Sequence, residues 1–226
     1  MEKIKVKFIK HSCYTLTTKN YYLVFDYIGG KLDIPKDKKV FFFVTHRHED
    51  HFSSKIFDYP AEAYIISDDV SVKADNKIKL IGPDQELKLD DLKIISHGST
   101  DEGVSFYVEA DDFGAIHCGD LNYWMWPHYT KKDIEEMDVW FKSEVDKFKD
   151  LKTDIVMMPV DPRLNEYYDL TADYILKTID AKNFFPMHMW EDFDISKRLK
   201  DKYQASYPDK ILYIISGNGD EFEIEK

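Results

Sequence analysis

Thr45-His46-Arg47-His48-Glu49-Asp50-His51-Phe52 follows directly on the apolar run Val40-Phe41-Phe42-Phe43-Val44, and this junction decides how the chain is read. The run is short, aromatic and β-branched, the composition of a strand buried on both faces. In open α/β architectures the carboxyl end of such a strand is where ligands are held. Side chains alternate along an extended segment, which puts His46, His48 and Asp50 on one side. His51 breaks this parity, so the chain must turn for it to join them, and Phe52-Ser53-Ser54 is a place for a helix to begin. Imidazole nitrogens and carboxylate oxygens are good donors for borderline divalent metals such as zinc. Four such groups in one short loop exceed what a single ion needs, so the segment predicts a metal centre with room for two ions.

Working outward, residues 3–9, 14–18 and 21–26 read as short strands, with Lys19-Asn20 as a hairpin turn and 33–39 as a polar loop. Residues 64–66, 78–81, 92–96 and 104–109 are further β-like runs separated by Asp, Gly and Pro, and 110–114 makes a hairpin into 115–118. After Trp126 the period changes: Ile134, Met137, Phe141, Val145 and Phe148 recur at helical spacing, with Thr130 and Asp133 placed to cap that helix. A strand over 154–160, a helix over 171–180, a strand over 183–187 and a helix over 194–203 follow, and strands over 211–216 and 221–224 close the chain. Early strands, late βαβα alternation and no internal repeat make this a mixed α/β chain.

The 226 residues hold no Pro/Gly/Ser-rich linker or low-complexity stretch, so a single domain over 1–226 is expected. With 43 acidic against 31 basic side chains the formal charge is −12, which repels phosphate backbones and argues against nucleic acid as a partner. No apolar stretch approaches the roughly 18 residues of a membrane span. The amino terminus alternates charge and hydrophobe, unlike a signal peptide, so a cytoplasmic location is expected by default. Cys13 and Cys118 are too few and too far apart for a disulfide framework, and reduced, strand-borne thiols are the simpler reading.

The H-x-H-x-D-H pattern of residues 46–51 resembles the motif of the metallo-β-lactamase superfamily of metal-dependent hydrolases. That resemblance implies an α/β fold of the four-layer αββα sandwich type and further ligands at later strand ends. His97, closing Ile94-Ile95-Ser96-His97, stands where the family's third histidine of the first metal lies; Asp120, in Cys118-Gly119-Asp120, resembles the bridging aspartate; and His188, in Pro186-Met187-His188, resembles the last histidine of the second. On this carry-over one ion takes His46, His48 and His97, the other takes Asp50, His51 and His188, and Asp120 spans them. The turn after His97 is longer and more acidic than the family's usual form, which makes Asp101 the fallback ligand. His117 is out of phase on its strand and is expected to face away from the metals. Cys118 is an alternative thiolate donor. His11 and Asp26 resemble the family's early strand positions; Asp26 is a candidate to accept the second N–H of a ligating imidazole, or a turn-stabilising aspartate.

Two divalent ions, as the resemblance implies, share a water, lower its pKa toward about 7 and polarise the oxygen under attack. The expected activity is hydrolysis of a small ester, lactone or phosphodiester by a dinuclear metal-bound hydroxide, with Asp50 and Asp120 as catalytic carboxylates. The resemblance to the ascorbate-phosphate lactonase-like and phospholipase-D-like branch points the same way, and His48, where the flavo-diiron oxygen reducers carry glutamate, favours hydrolysis over redox chemistry. The alternatives are a nuclease or RNA-processing hydrolase of the same fold and a non-catalytic metal-binding protein. Zinc is the default ion, with manganese, iron and nickel open. Arg163 is either a clamp for a substrate anion or a local ion pair with Asp161. Tyr123 and Trp124, in the aromatic segment 122–129, are candidate substrate contacts, the same segment being open to core or interface roles, including a homo-oligomer.

Overall fold

In the computed structural model, which describes residues 3–225, the chain opens with an antiparallel meander of β1 (Lys3–Lys10), β2 (Cys13–Thr17) and β3 (Tyr21–Phe25). To this it adds β4 (Lys39–Val44), β5 (Ala63–Ser67) and β6 (Ile78–Ile81) in parallel. A second sheet begins with the antiparallel β7 (Gln85–Leu89), β8 (Leu92–His97), β9 (Ser105–Ala110) and β10 (Phe113–His117). It continues in parallel through β11 (Ile155–Pro159), β12 (Asn183–Met187) and β13 (Ile211–Leu212). Three helices connect these later elements: α1 (Lys131–Val145), α2 (Leu170–Thr178) and α3 (Asp194–Tyr203). The last strand, β14 (Glu221–Glu225), returns beside β1, so the two seven-stranded sheets run β14-β1-β2-β3-β4-β5-β6 and β13-β12-β11-β10-β9-β8-β7.

The unbroken apolar run of β4 is explained by burial on both faces. Phe41 and Phe43 enter the main core between the sheets, whereas Val40, Phe42 and Val44 belong to a second cluster on the outer face of the first sheet. A fully buried side chain such as Phe42 contributes roughly 1.5–3 kcal/mol. The helices lie against the second sheet: α1 buries Met137, Phe141 and Val145, α2 packs on α1 and β11, and α3 joins the same core through Ile195 and Leu199. Thr130 and Asp133 form the reciprocal cap their spacing predicts at the start of α1, an arrangement of about 1 kcal/mol. On the other side of the sandwich the covering layer is thin. It consists of the single 3-10 turn Ser54–Asp58, anchored by the buried Ile56, and the loops 27–38 and 68–77. The helix anticipated near Phe52-Ser53-Ser54 is this one turn, with Ser53 as its cap.

Two strands depart from the sequence reading. β7 was not anticipated, because Gln85, Glu86 and Lys88 alternate with only two partly buried leucines along a sheet edge. The strand expected over 211–216 stops at Leu212, because Ile215 N gives its hydrogen bond to Ser196 Oγ (3.1 Å) and leaves the ladder. None of the described helices is long and apolar enough to cross a membrane.

At one end of the sandwich the carboxyl ends of β3, β4, β10, β11 and β12 meet the β1–β2 turn and the β8–β9 loop. Backbone bonds stitch them together: His188 N to His11 O (3.1 Å) and Val104 N to Thr45 O (2.8 Å).

Candidate metal centre

The loop after β4 is shaped by a short internal turn: the N–H groups of His51 and Phe52 both donate to His48 O, at 2.9 and 2.8 Å. This curl brings His51 back beside His46, the ring centroids 4.1 Å apart, and resolves the parity conflict of the sequence. Asp26, at the end of β3 with φ +44°, anchors the loop from behind. Its Oδ1 accepts from Thr45 N (2.8 Å), and its Oδ2 from Thr45 Oγ1 and His51 Nδ1 (both 2.7 Å). Gly103, at φ +67°, lies against the same loop, and a Cβ there would collide with Thr45 O and His46 Cβ. Gly119, at φ +54°, sets the turn that delivers Asp120.

The side chains converge in two groups, His46, His48, Asp101 and Asp120 in one, and His11, Asp50, His51 and His188 in the other, with the donor atoms of each group within 4.8 Å of one another. Asp120 reaches both: Oδ2 lies 3.7 Å from His46 Nε2, and Oδ1 lies 3.1 Å from His51 Nε2 and 3.3 Å from His188 Nε2. Asp50 Oδ2 stands 3.3 Å from His11 Nε2 and 3.9 Å from His188 Nε2. His48 Nδ1 is 3.5 Å from Asp101 Oδ2.

The residues fit a divalent ion on one decisive observation. The Nε2 atoms of His11, His46, His51 and His188 and Oδ1 of Asp120 are all buried and have no hydrogen-bond partner, although they point at one another. Unpaired buried polar groups are expensive, and a cation in each group would satisfy them. Donors held about 2.0–2.2 Å from one ion lie roughly 3–3.5 Å from each other, close to the separations seen.

The electrostatics agree. Burial opposes charge on His51, but Asp120 and Asp26 on either side outweigh it and hold its pKa well above the ordinary value. Burial likewise opposes ionisation of Asp120, yet His188, His51 and His46 keep its carboxyl well below the usual range. Burial and the neighbouring His51 push His46 down to about 4, leaving its ring neutral. Burial and the adjacent Asp120 push Asp101 upward, the mark of carboxylates crowded together.

Behind the ligands, three of the imidazoles have their second nitrogen occupied. His51 Nδ1 meets Asp26, His188 Nδ1 meets Asp161 Oδ2 (3.0 Å), and His46 Nδ1 meets Thr45 Oγ1 (3.1 Å). Such partners fix which nitrogen is free to ligate. Asp161, read from the sequence only as a partner for Arg163, also stands behind His188; its place just beyond β11, at the same end as Asp120 and His188, is the signal for it.

His97 is a correction. It lies outside both groups: strand alternation in β8 turns it, with Lys93 and Ile95, to the partly exposed face, where its Nδ1 meets Asp84 Oδ1 (2.8 Å) and its ring sits 4.7 Å edge-on to Phe148. The fallback residue Asp101, carried inward by the β8–β9 loop, stands with His46 and His48 instead. Tyr123 is a second correction, since its ring stacks on Phe141 under α1 and its hydroxyl bonds Asp138, away from the ligands. Cys118 belongs to neither group, and burial raises its thiol pKa. His117, expected to face away, is buried behind Asp26, with Nε2 against Ser12 O (2.8 Å), Nδ1 accepting from Gly119 N (3.2 Å) and its ring stacked on Phe25.

A pocket of about 290 Å³ opens over the ligands, walled by Trp124, Trp126, Trp190, Tyr129 and Arg163. Arg163 forms the ion pair with Asp161 and also lines this pocket. Its Nε lies 3.0 Å from each oxygen of Asp161, and its guanidinium also faces Trp190, 4.5 Å from the ring centre, on the pocket wall.

A family model described as the Beta-lactamase superfamily domain matches residues 5–188. The chain belongs to that family. Solved structures with the same fold include Igni18, a metallo hydrolase from the archaeon Ignicoccus hospitalis, 14% identical, with 99% of each chain covered and a TM-score of 0.68. The metallo-β-lactamase fold protein YhfI from Bacillus subtilis is 14% identical, with 98% of this chain and 99% of that one covered and a TM-score of 0.61. CmlA, a diiron β-hydroxylase from Streptomyces venezuelae, is 9% identical, with 100% of this chain but 55% of that one covered and a TM-score of 0.62. At these identities the likeness to solved structures is one of fold. No curated protein matches the chain. Membership in the superfamily accords with the paired sheets and with His/Asp groups suited to metal ions.

Proposed function

We propose that this superfamily member is a dinuclear metal-dependent hydrolase of a small ester, lactone or phosphodiester. The observation that carries the reading is the convergence of buried, unpartnered imidazole nitrogens on the two oxygens of Asp120. His46, His48 and Asp101 would hold one ion, and Asp50, His51 and His188 the other, with His11 beside the second and Asp120 between them. Two divalent ions, when bound, supply Lewis acidity and a water acidic enough to react at neutral pH. Zinc suits the imidazoles, and the three carboxylates suit iron or manganese equally.

The chain's own groups do the rest. Asp26 and Asp161 orient His51 and His188 so that each presents Nε2 toward the place an ion would occupy. Asp50 borders the pocket, and although burial opposes its ionisation, His11 and His51 hold its carboxyl below the usual range, so it is an anion at neutral pH, the form in which it would hold the second ion. The three indoles keep water from the substrate, and Arg163, backed by Asp161, presents a guanidinium for a substrate anion. A pocket of this size takes a small molecule, and the formal charge of −12 disfavours a polynucleotide.

Metal-loaded protein assayed on bis(p-nitrophenyl) phosphate, a lactone and a thioester tests the reading. Turnover that chelation removes and metal restores supports it; protein holding two ions yet inert on all three refutes it. A second reading, oxygen-dependent oxidation, is favoured by one feature: histidines and a carboxylate stand together in each group, His46, His48 and Asp101 in one and His11, His51, His188 and Asp50 in the other, with Asp120 between, a mixed donor set that also serves oxygen-activating iron. Oxygen uptake by the ferrous protein, supplied with ascorbate as reductant, separates it from hydrolysis.

A further inference from the structure

A second pocket, of about 440 Å³, adjoins the metal centre on the Asp50 side. Its walls include Phe8, Ile28, Met189 and Phe193, while the charged groups Lys10, Glu49 and Glu191 also border it. Two of its lining residues, His11 and Asp50, belong to one ligand group, and Asp50 and Trp190 line both pockets. Trp190 is therefore the partition between them. Its ring stands 4.8 Å from that of His11, with Arg163 over its face, and it is 46% exposed.

The backbone holding this partition is strained. His188, Trp190 and Glu191 have φ of +62°, +49° and +64°, a left-handed geometry that disfavours side-chain-bearing residues by roughly 1–3 kcal/mol each and persists where a ligand wall needs it. A mostly apolar recess opening on the metal ligands suits a substrate part that is itself apolar.

We infer that the substrate is bipartite: its scissile polar group lies at the metal centre, and an uncharged alkyl or aryl substituent passes Asp50 and Trp190 into the recess lined by Ile28, Met189 and Phe193. This inference rests on the proposed hydrolase site for the polar end only.

The test uses hydroxamates, whose metal-binding head is constant. Acetohydroxamate, hexanohydroxamate and octanohydroxamate are titrated calorimetrically into the zinc-loaded protein and its Ile28→Asp variant, Ile28 being only partly buried. Affinity is expected to rise two- to fourfold per added methylene until the recess is full. In Ile28→Asp that gain is expected to vanish while acetohydroxamate binding stays unchanged. Affinity that is flat with chain length, or a gain that survives the substitution, overturns the inference. If acetohydroxamate fails to bind, it is the metal reading that fails, and 1-hexanol, which needs no metal, then decides the recess: it must shift the Met189 methyl resonance, assigned with Met189→Leu, and no shift overturns the inference.

Discussion

Replacing Asp26 by asparagine exchanges one oxygen for an amide nitrogen in a fully buried carboxylate that accepts three hydrogen bonds, from Thr45 N, Thr45 Oγ1 and His51 Nδ1. Asparagine keeps a single acceptor oxygen. If that oxygen stays on Thr45 N, the amide NH2 faces His51, whose Nδ1 must then accept and whose proton moves to Nε2, the atom directed at Asp120. An imidazole protonated there cannot ligate. If the amide flips, its NH2 meets Thr45 N donor to donor at the root of the metal loop. Either way one charge-assisted bond is lost, worth about 1.5–3 kcal/mol. At 1.4 kcal/mol per decade this is roughly a 10–100-fold weaker hold on metal, the scale typical of groups behind a ligand. Competition for zinc against a chromophoric chelator measures it, with thermal unfolding of both chelated proteins as the control for folding. Zinc affinity within twofold of the parent would refute the claim that Asp26 sets the tautomer of His51.

Other consequences are as direct. Asp101→Ala is expected to reduce bound metal from two ions to one while His97→Ala leaves two, read by elemental analysis; the reverse would restore His97 as the ligand. Asp120→Ala should abolish turnover and reduce metal occupancy, which assay and elemental analysis together check. His117→Ala empties a fully buried, stacked and hydrogen-bonded site and should cost about 3–5 kcal/mol in denaturant unfolding of the metal-free protein, with metal stoichiometry unchanged in the folded fraction. Because Asp120 and Asp26 hold the His51 pKa well above its ordinary value, metal must displace a proton there. The sign follows: affinity should tighten as pH rises from 6 to 8, by up to about tenfold per unit for one proton, with about one proton released in calorimetry across buffers of different ionisation enthalpy.

Much of this was legible because the deciding residues act locally. The unbroken apolar runs and the helical patterns placed β4, β12, α1 and α3 to within a few residues, since burial on both faces of a strand or along one side of a helix shows directly in the order of apolar residues. The cluster His46 to His51 announced metal for the same reason. What stayed hidden depended on where strands end against one another. Whether His97 or the nearby Asp101 enters the centre is settled by which face of β8 the histidine occupies, and by a loop that bends inward over Thr45 because Gly103 permits it. Asp161 and His188 lie just beyond the ends of neighbouring parallel strands whose register only the folded sheet reveals. Tyr123 and Trp124 are adjacent in sequence yet divide between helix packing and pocket wall.

The donors come from both halves of the sandwich: His46, His48, Asp50 and His51 follow a strand of one sheet, and Asp101, Asp120 and His188 hang from the other. Bound ions would therefore act as a clasp, so that spreading the sheets at this end and letting the ions go become a single event. At a hundredfold excess over its dissociation constant a bound ion adds about 2.7 kcal/mol against unfolding. The coupling runs in both directions. Loosening the contact between Phe43 and Phe106, which meet edge to face at 5.5 Å across the sheets, should quicken ion loss although neither ring offers a donor atom.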